Sequence, residues 1–559
     1  MSARAICLLF FTLGPFSPGL AAQQQNAPAS ETARKTFQIS GTVVHGQTGE
    51  PLAQTEVAIS PEGNRDAFPE PQTVVTGEDG RFLFKNVNPG KYSLAAERKG
   101  FPRQAFDQHE YFSTAIAVGP DKVSDNIVFR LLPDGSIAGK ISDENGDPVP
   151  NGQVMLFEKR VEAGEQGIYR RTDIPTDDQG LYHFGHLHPG TYFVAVWAQP
   201  WYAQYRLHTV AAVANDNSGP AADNGNAELD RAYPLTYYPA ANDPDGASAI
   251  TVEPGSQLTA DITLRSVPAL HLRVTNANTD PSHNTQVTLM QKVFGNSGIF
   301  VQPWTVNTGS GPIEISGIPP GNYDANFQVF SRENGDNRAR PNSRRQTINV
   351  TRDGEIDAAN SSEPAVVTGI VKFEGAEAPP IRASIQLHSR ESGDGNASSI
   401  APDGTFETLT LRPGRYEVFV PNAARFLVKS IAADGAKVNG HTIEIKDSSP
   451  VQLAVVASQG VGGIEGVVQR GDKPFAGAMV VLVPHDLADS GALFRRDQSD
   501  SDGTFILRDV VPGKYTLLAI ENGWNLEWAN PAVLKSYLPK GETVQVEANG
   551  KYNVKVKLQ

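Results

Sequence analysis

Apolar and polar side chains alternate over short runs along most of this chain, and turns rich in glycine, proline and aspartate separate the runs. In the stretch DGRFLFKNVNPGKY at residues 79–92, Phe82, Phe84 and Val87 are separated by polar residues. Such alternation predicts a strand with one buried face. The Pro-Gly pair predicts a chain reversal, because proline presets φ for a turn and glycine accepts the next position. The stretch therefore predicts a β-hairpin.

The same pattern occurs five times, with a glycine nine positions before each Pro-Gly pair and a tyrosine two positions after it. The five glycines are Gly80, Gly180, Gly311, Gly404 and Gly503. The five tyrosines are Tyr92, Tyr192, Tyr323, Tyr416 and Tyr515. Repetition with one register predicts five copies of one structural unit. Each tyrosine is then expected to hold an equivalent, mainly structural position at the start of the returning strand.

Further alternating strands surround each of these stretches. A strand with an internal glycine precedes several of them, as in ISGTVV and IEGVV, and another alternating strand closes a unit, as in YNVKVKL. Several strands within about 100 residues are typical of a small sandwich. The predicted fold class is all-β, a tandem array of about five Ig-like or transthyretin-like antiparallel β-sandwich domains. Their predicted ranges are residues 37–132, 133–265, 266–360, 361–458 and 459–559.

The combination of a first strand with an internal glycine, a G-x-P turn, a D-G-x-F turn and P-G-x-Y resembles the carboxypeptidase regulatory-like domains. These are also grouped with CnaB-type and carbohydrate-binding-like folds. The resemblance covers nearly all of the chain after residue 36. It is weaker in the third unit, where LHLRV lacks the strand glycine, and in the front half of the fourth unit. It implies a scaffold and no catalytic residue, since a shared fold does not transfer chemistry.

CnaB-type domains also suggest an internal bond from lysine to asparagine beside a buried glutamate. Glu97 occupies a plausible position, but its unit has no lysine in the first strand. In the units with Lys140 and Lys372, the matching positions hold Trp197 and Pro421. No unit assembles the three groups, so no such cross-link is predicted.

The N-terminal residues predict export. Arg4, an apolar run and then small residues up to Ala22 form the layout of a secretory signal peptide at residues 1–22. Residues 23–36 are predicted to form a linker. The one cysteine, Cys7, lies within the predicted signal peptide. No later window approaches the ~18 apolar residues of a membrane-spanning helix. A periplasmic, extracellular or envelope location is expected.

Net charge and local motifs limit the ligands that the chain is expected to bind. The formal net charge is -14, so nucleic acid is not an expected partner. His183, His186 and His188 flank inward-facing positions and are predicted to point to water, with a shared metal ion as the alternative. The acidic turn DQSDSDG at residues 497–503 lacks the closing glutamate of a calcium loop and is expected to be solvated. No cofactor or metal is predicted.

The second unit is longer than the others and is rich in aromatic residues around a polar, low-complexity insertion. Tryptophan and tyrosine rings stack on sugars and on protein side chains. The candidate ligand-binding residues are Trp197, Tyr202, Tyr205, Tyr237, Tyr238 and Trp528. Packing is the alternative role for all of them. Trp201 and Trp524 instead share the register position of Phe101, nine after the motif tyrosine, which predicts a common core or corner role.

These patterns favour a non-catalytic, exported, multidomain binding protein that recognises a carbohydrate or the surface of an envelope protein. A purely structural envelope stalk or assembly partner is the first alternative. An enzyme with a site built between domains is the second, because no catalytic motif appears along the chain.

Overall fold

The computed structural model describes residues 36–63, 70–203, 228–276, 283–304, 313–331, 342–361, 363–389, 395–423, 426–485 and 493–559. The predicted signal peptide and Tyr205 lie outside these ranges. The described chain is built almost entirely of strands, which form five consecutive two-layer sandwiches, so the predicted fold class is confirmed.

The first two sandwiches take strands β1 to β18. The strands of the first are β1 (Phe37–His45), β2 (Glu56–Pro61), β3 (Gln72–Val75), β4 (Arg81–Val87), β5 (Gly90–Arg98), β6 (Phe101–Ala105), β7 (Ile116–Val118) and β8 (Ile127–Leu131). The strands of the second are β9 (Gly135–Ser142), β10 (Gln153–Glu162), β11 (Glu165–Pro175), β12 (Leu181–Leu187), β13 (Gly190–Trp197), β14 (Arg231–Ala232), β15 (Thr236–Tyr237), β16 (Ile250–Val252), β17 (Gln257–Thr259) and β18 (Ile262–Thr263). Strand β14 pairs with β19 (Val267–Pro268) at the junction with the third sandwich.

The third and fourth sandwiches follow the same plan. The third contains β20 (Leu270–Thr275), β21 (His283–Val293), β22 (Asn296–Trp304), β23 (Ile313–Ile318), β24 (Gly321–Ser331), β25 (Asn342–Val350) and β26 (Gly354–Asp357). The fourth contains β27 (Ala365–Glu374), β28 (Ser384–His388), β29 (Gly395–Ser399), β30 (Thr405–Leu411), β31 (Gly414–Phe419), β32 (Leu427–Asp434), β33 (Lys437–Asn439), β34 (Thr442–Ile445) and β35 (Val451–Ser458).

The fifth sandwich carries the one α-helix among the described residues, α1 (Pro531–Leu534), between two of its strands. Its strands are β36 (Gly462–Arg470), β37 (Lys473–Pro474), β38 (Met479–Pro484), β39 (Arg495–Gln498), β40 (Thr504–Val510), β41 (Gly513–Ile520), β42 (Glu542–Val546) and β43 (Lys551–Lys557). Short 3-10 turns lie at Pro244–Gly246, Ala358–Asn360, Gly523–Asn525 and Leu538–Lys540. None of the helices in the described part of the chain is long and apolar enough to cross a membrane.

The predicted hairpin is wrong in all five units. In the first sandwich β4 pairs with β1, whereas β5 pairs with β2, β6 and β7 in the opposite sheet. The corresponding strands of the other four units are separated in the same way. The Pro-Gly turn therefore carries the chain across the core from one sheet to the other. Both strands bury one face in the same core, which is why their alternation could not distinguish this crossing from a hairpin.

The motif tyrosine closes each of these crossings. Its hydroxyl donates to the backbone carbonyl four residues upstream in every unit, at 2.6 Å for Tyr323 and 2.7 Å for Tyr515. The other three units repeat the bond at Tyr92, Tyr192 and Tyr416. All five side chains are buried, as predicted. A tyrosine that bonds back over a corner between sheets is a known device of Ig-like sandwiches.

The glycine inside the first strand allows the last strand to approach closely. The first and last strands of each unit pair in parallel, unlike the other pairs of the sandwich. A Cβ on Gly466 would lie 2.1 Å from the carbonyl oxygen of Val554. A Cβ on Gly369 would lie 2.0 Å from that of Leu453. A side chain at Gly466 or Gly369 would push the parallel strand away, whereas in the third sandwich β20 has no glycine and still pairs in parallel with β26.

Each sandwich has its own apolar core, and two further clusters join sandwiches to one another. One, around Tyr237 and Phe294, lies between the second and third sandwiches. The other, around Trp524 and Trp528, belongs to the fifth sandwich and includes Phe112 of the first and Val161 of the second. The fifth sandwich thus contacts the start of the chain.

Candidate binding surface

The predicted aromatic site of the second sandwich divides into separate environments. Tyr237 is 1% exposed and packs edge-on against Phe294 of the third sandwich, with ring centroids 5.1 Å apart. Burial raises the pKa of its hydroxyl. Trp197 is half-buried and contacts the same cluster as well as the core of the third sandwich. Both residues therefore contribute packing between sandwiches, because the third sandwich covers the face that a ligand would need.

The remaining candidates are not brought together. Tyr238 is partly buried against the core of the second sandwich. Trp528 lies in the fifth sandwich, is 7% exposed and packs against Phe494 at 5.7 Å, so it has no open face for stacking. Ligand binding by the predicted set stays a prediction. Tyr202 is half-buried and lies beside an exposed ring, that of Trp201.

Trp201 lies beside Tyr202, and the sequence did not predict its exposure. Its side chain is 80% exposed, so the predicted core role is wrong. Its ring meets that of Tyr202 edge-on at 5.8 Å. Register fixes where the residue lies on a sandwich, whereas the neighbouring sandwich determines whether it is covered. Trp524, at the same register position, is only 6% exposed because the first sandwich packs on it.

A polar network supports this aromatic pair. The Tyr202 hydroxyl donates to Ser266 Oγ at 3.2 Å, and Ser266 Oγ donates to Glu144 Oε1 at 2.6 Å. The Arg231 guanidinium donates to the Ser266 carbonyl oxygen at 2.6 Å and to its hydroxyl. We call Glu144, Trp201, Tyr202, Arg231 and Ser266 the Trp201 surface. It offers an open indole face with donors and acceptors at its edge, a combination suited to a sugar ring or a protein side chain.

The acidic turn of the fifth sandwich is a docking element, so the expectation that it is solvated is wrong. Gln498 is 1% exposed, and its amide nitrogen donates to the Asp107 carbonyl oxygen at 2.6 Å. Asp500 is bound by Lys91 and by the backbone N–H of Ala115. The turn lies against the first sandwich because its acceptor groups bind hydrogen-bond donors there. The sequence around the turn does not indicate this partner.

Aromatic and charged side chains extend the same contact. The His109 ring stacks on Trp524 with centroids 4.9 Å apart and planes 9° apart. Arg496 forms a two-pronged ion pair with Glu110 at 2.7 and 2.9 Å, and its guanidinium lies 4.2 Å from the Trp528 ring centroid. The Arg496 side chain is only 5% exposed. Residues from both sandwiches are therefore largely removed from water.

Several carboxylates lie near one another at this contact. Burial raises the pKa of Asp497 to about 6, and the nearby charge of Asp500 acts in the same direction. Desolvation likewise raises the pKa of Asp500, although Lys91 opposes it. Glu62, at the rim, also has a raised pKa of about 6, but its side chain stays accessible, so Asp497 is the better indicator.

We expect acid to strengthen this docking. A carboxyl whose pKa is raised in the docked state binds its proton more tightly there, so docking is favoured at low pH and weakens as pH rises through about 6. Hydrogen exchange at the Ala115 and Ser501 amides, which bond across the contact, provides the measurement. Protection corrected for intrinsic exchange should be higher at pH 5 than at pH 7.5. An Asp497→Asn variant should lose most of this difference, and the opposite pH trend would contradict the assignment.

The histidine cluster points to water, as predicted. His183, His186 and His188 are exposed, and His186 Nδ1 lies 2.6 Å from Asp134 Oδ2. Within the described ranges, no three His, Cys, Asp or Glu side chains converge as metal ligands would.

A family model matches one sandwich, and known proteins of low sequence identity match most of the chain. Over 500 residues the chain is 22% identical to Colossin-A of Dictyostelium discoideum, which covers 80% of this chain but only 4% of that much longer protein. The Bacillus anthracis TIE protein matches 95% of this chain and 76% of its own, at 12% identity and a TM-score of 0.16. The major pilin subunit of Bacillus cereus matches 76% of this chain and 99% of its own, at 10% identity and a TM-score of 0.14.

The family match falls on the first sandwich. The model of the carboxypeptidase regulatory-like domain matches residues 38–131, from within β1 to the end of β8. This range contains the glycine strand, the Pro-Gly crossing and the motif tyrosine described above. Residues 38–131 are therefore similar to the carboxypeptidase regulatory-like domain.

Proposed function

We propose that this chain is a non-catalytic, exported, multidomain binding protein that recognises a carbohydrate or a protein surface through the Trp201 surface. The observation that carries the proposal is the 80% exposure of Trp201 beside a hydroxyl, a guanidinium and a carboxylate. An aromatic ring left open beside hydrogen-bonding groups can stack on a ligand while those groups bind its polar edge. The pattern of residues 1–22 supports export.

The contacts between sandwiches favour docking over catalysis there. Carboxylates with raised pKa values are candidates for catalytic groups. In this chain Asp497 Oδ2 accepts the Ile506 N–H at 2.7 Å, and Asp500 is held by Lys91 and Ala115. The Asp497 bond lies within the fifth sandwich, whereas the Asp500 bonds join the fifth sandwich to the first. Both carboxylates are thus already engaged, and the purely structural role remains the main competitor of the binding role.

Substitution of Trp201 separates the two roles. Because its ring is exposed, Trp201→Ala should change the free energy of unfolding by no more than about 0.5 kcal/mol. Loss of one stacking ring should weaken binding by about 0.5–1.5 kcal/mol beyond the lost contact area, so at least a several-fold rise in Kd is expected. The measurement is a screen of envelope polysaccharides and envelope proteins, followed by calorimetry on each hit.

Ile381→Ala in the fourth sandwich is the matched control, since that apolar side chain is 91% exposed but far along the chain. It should leave every hit unchanged. If Trp201→Ala binds all hits as tightly as the parent, the Trp201 surface is not the binding site. If it instead lowers stability by more than about 2 kcal/mol, the residue is structural.

A further inference from the structure

The docking site of the fifth sandwich has a counterpart in the first sandwich. In the fifth, the Gly477 N–H donates to the Ser499 carbonyl oxygen at 2.8 Å, and the Trp524 indole N–H lies 3.4 Å from the Gly477 carbonyl oxygen. In the first, the Gln54 N–H makes the equivalent bond to Thr76 at 3.0 Å. Gln54 thus corresponds to Gly477, and Thr76 corresponds to Ser499.

The correspondence extends to the aromatic residue. Val75 precedes Thr76 as Gln498 precedes Ser499, and Phe101 shares the register position of Trp524. Gln54, Val75 and Phe101 line one groove that encloses about 390 Å³. Gln498 and Trp524 contact the first sandwich, and the residues that match them by register, Val75 and Phe101, line an open groove in the first sandwich.

The groove combines an aromatic floor with an excess of positive charge. Arg98 lies with its guanidinium carbon 5.8 Å from the Phe101 ring centroid. Lys99 and Arg103 complete three cations, against the two carboxylates Glu56 and Glu97. Arg103 is 3.8 Å from Glu97, a loose pair between half-exposed side chains. An acidic group would find a partner here at little desolvation cost.

The occupant of the fifth sandwich shows which chemistry such a site accepts. There the turn at residues 107–114 places the His109 ring flat on Trp524 and the Glu110 carboxylate on Arg496. Its backbone carbonyl at Asp107 accepts from Gln498. A ring beside a carboxylate, carried on a polypeptide turn, thus fits an aromatic platform with a neighbouring guanidinium.

We propose that the groove of the first sandwich binds a polypeptide turn that presents an aromatic or imidazole ring beside a carboxylate. The ring packs on Phe101, and the carboxylate pairs with Arg98. Val75, which is 66% exposed, lies at the edge of the site and contacts the apolar part of the turn. This inference is independent of the Trp201 surface, which lies on the second sandwich.

The test uses a peptide copied from the chain itself. A fluorescein-labelled peptide of residues 105–115, AFDQHEYFSTA, is titrated with the full chain and followed by fluorescence anisotropy. Saturable binding is expected, and Arg98→Glu should weaken it at least tenfold because the substitution replaces the attracting charge with a repelling one. A peptide with glutamine in place of its glutamate should show a similar loss.

Two variants locate the binding. Arg81→Glu reverses an exposed charge on the opposite sheet of the same sandwich and should leave the titration unchanged. Arg496→Ala removes the cation of the fifth sandwich that holds Glu110, and it too should leave peptide binding intact. The proposal is overturned if no saturable binding occurs, if Arg98→Glu has no effect, if Arg81→Glu weakens binding equally, or if only Arg496→Ala abolishes it. Circular dichroism melting of each variant confirms that it is folded.

Discussion

Tyr515→Ala is expected to lower the free energy of unfolding of the fifth sandwich by about 3–5 kcal/mol, the usual range for truncating a buried aromatic side chain. The Tyr515 side chain is 2% exposed, and its hydroxyl bonds to the Val511 carbonyl oxygen across the Pro-Gly crossing. The substitution therefore opens a cavity between the two sheets and frees the corner at which the chain passes between them.

Hydrogen exchange of the full chain in graded urea gives the measurement, with peptides from β40 and β41 reporting on this sandwich. Tyr515→Phe keeps the ring and removes the hydroxyl, so it should cost only about 1 kcal/mol. Tyr111→Ala is the matched control, because Tyr111 is 78% exposed and its loss should cost less than about 0.5 kcal/mol. Equal losses in Tyr515→Ala and Tyr111→Ala would show that the motif tyrosine is not structural. Peptides from the other sandwiches should keep their protection.

Arg496→Ala should release the fifth sandwich from the first. The guanidinium is nearly buried, pairs with the partly exposed carboxylate of Glu110 and packs on Trp528, so its removal breaks the ion pair and uncovers the ring. Because the Glu110 side chain stays 26% exposed, we expect the cost to lie at or below the lower end of the ~2–5 kcal/mol that is typical of truncating one partner of a buried charged pair. An interface between domains of one chain is a separable contact, so this loss is sufficient to shift it toward the open state.

Two measurements report on the release. The Ala115 and Ser501 amides bond across the contact and should lose protection from exchange. The radius of gyration from small-angle X-ray scattering should rise as the ends of the chain separate. Arg81→Ala, an exposed cation of the first sandwich, should change neither quantity. Unchanged exchange in Arg496→Ala would mean that the contact does not depend on this pair.

The fold was predictable because it depends on features repeated in the sequence. The turn glycine, the Pro-Gly pair and the buried tyrosine recur in one register. Each fixes the local backbone conformation whatever packs beside it. Strand partners were not predictable in the same way. Strands β4 and β5 alternate as two arms of a hairpin would, and only the closure of the core places them in opposite sheets.

The candidate sites were less predictable because contacts between sandwiches decide them. Trp201 and Trp524 share one register position, yet one is open and the other is covered by His109 and Phe112. The sequence of the turn containing Asp500 predicts a solvated loop, but in the structure the first sandwich packs against it. The bonds from Asp500 to the first sandwich join residues 385 and 409 positions apart, and no local sequence pattern at either residue indicates its partner.

The parallel pairing of first and last strands determines how each sandwich meets a mechanical load. In the fifth, the chain enters at the start of β36 and leaves at the end of β43, which runs beside it in the same direction. Tension between these points slides the two strands lengthwise past each other. All the hydrogen bonds of the pair then bear the load together in shear, rather than opening one at a time as in a zipper. The other four sandwiches pair their first and last strands in parallel too, so each would meet such tension in shear.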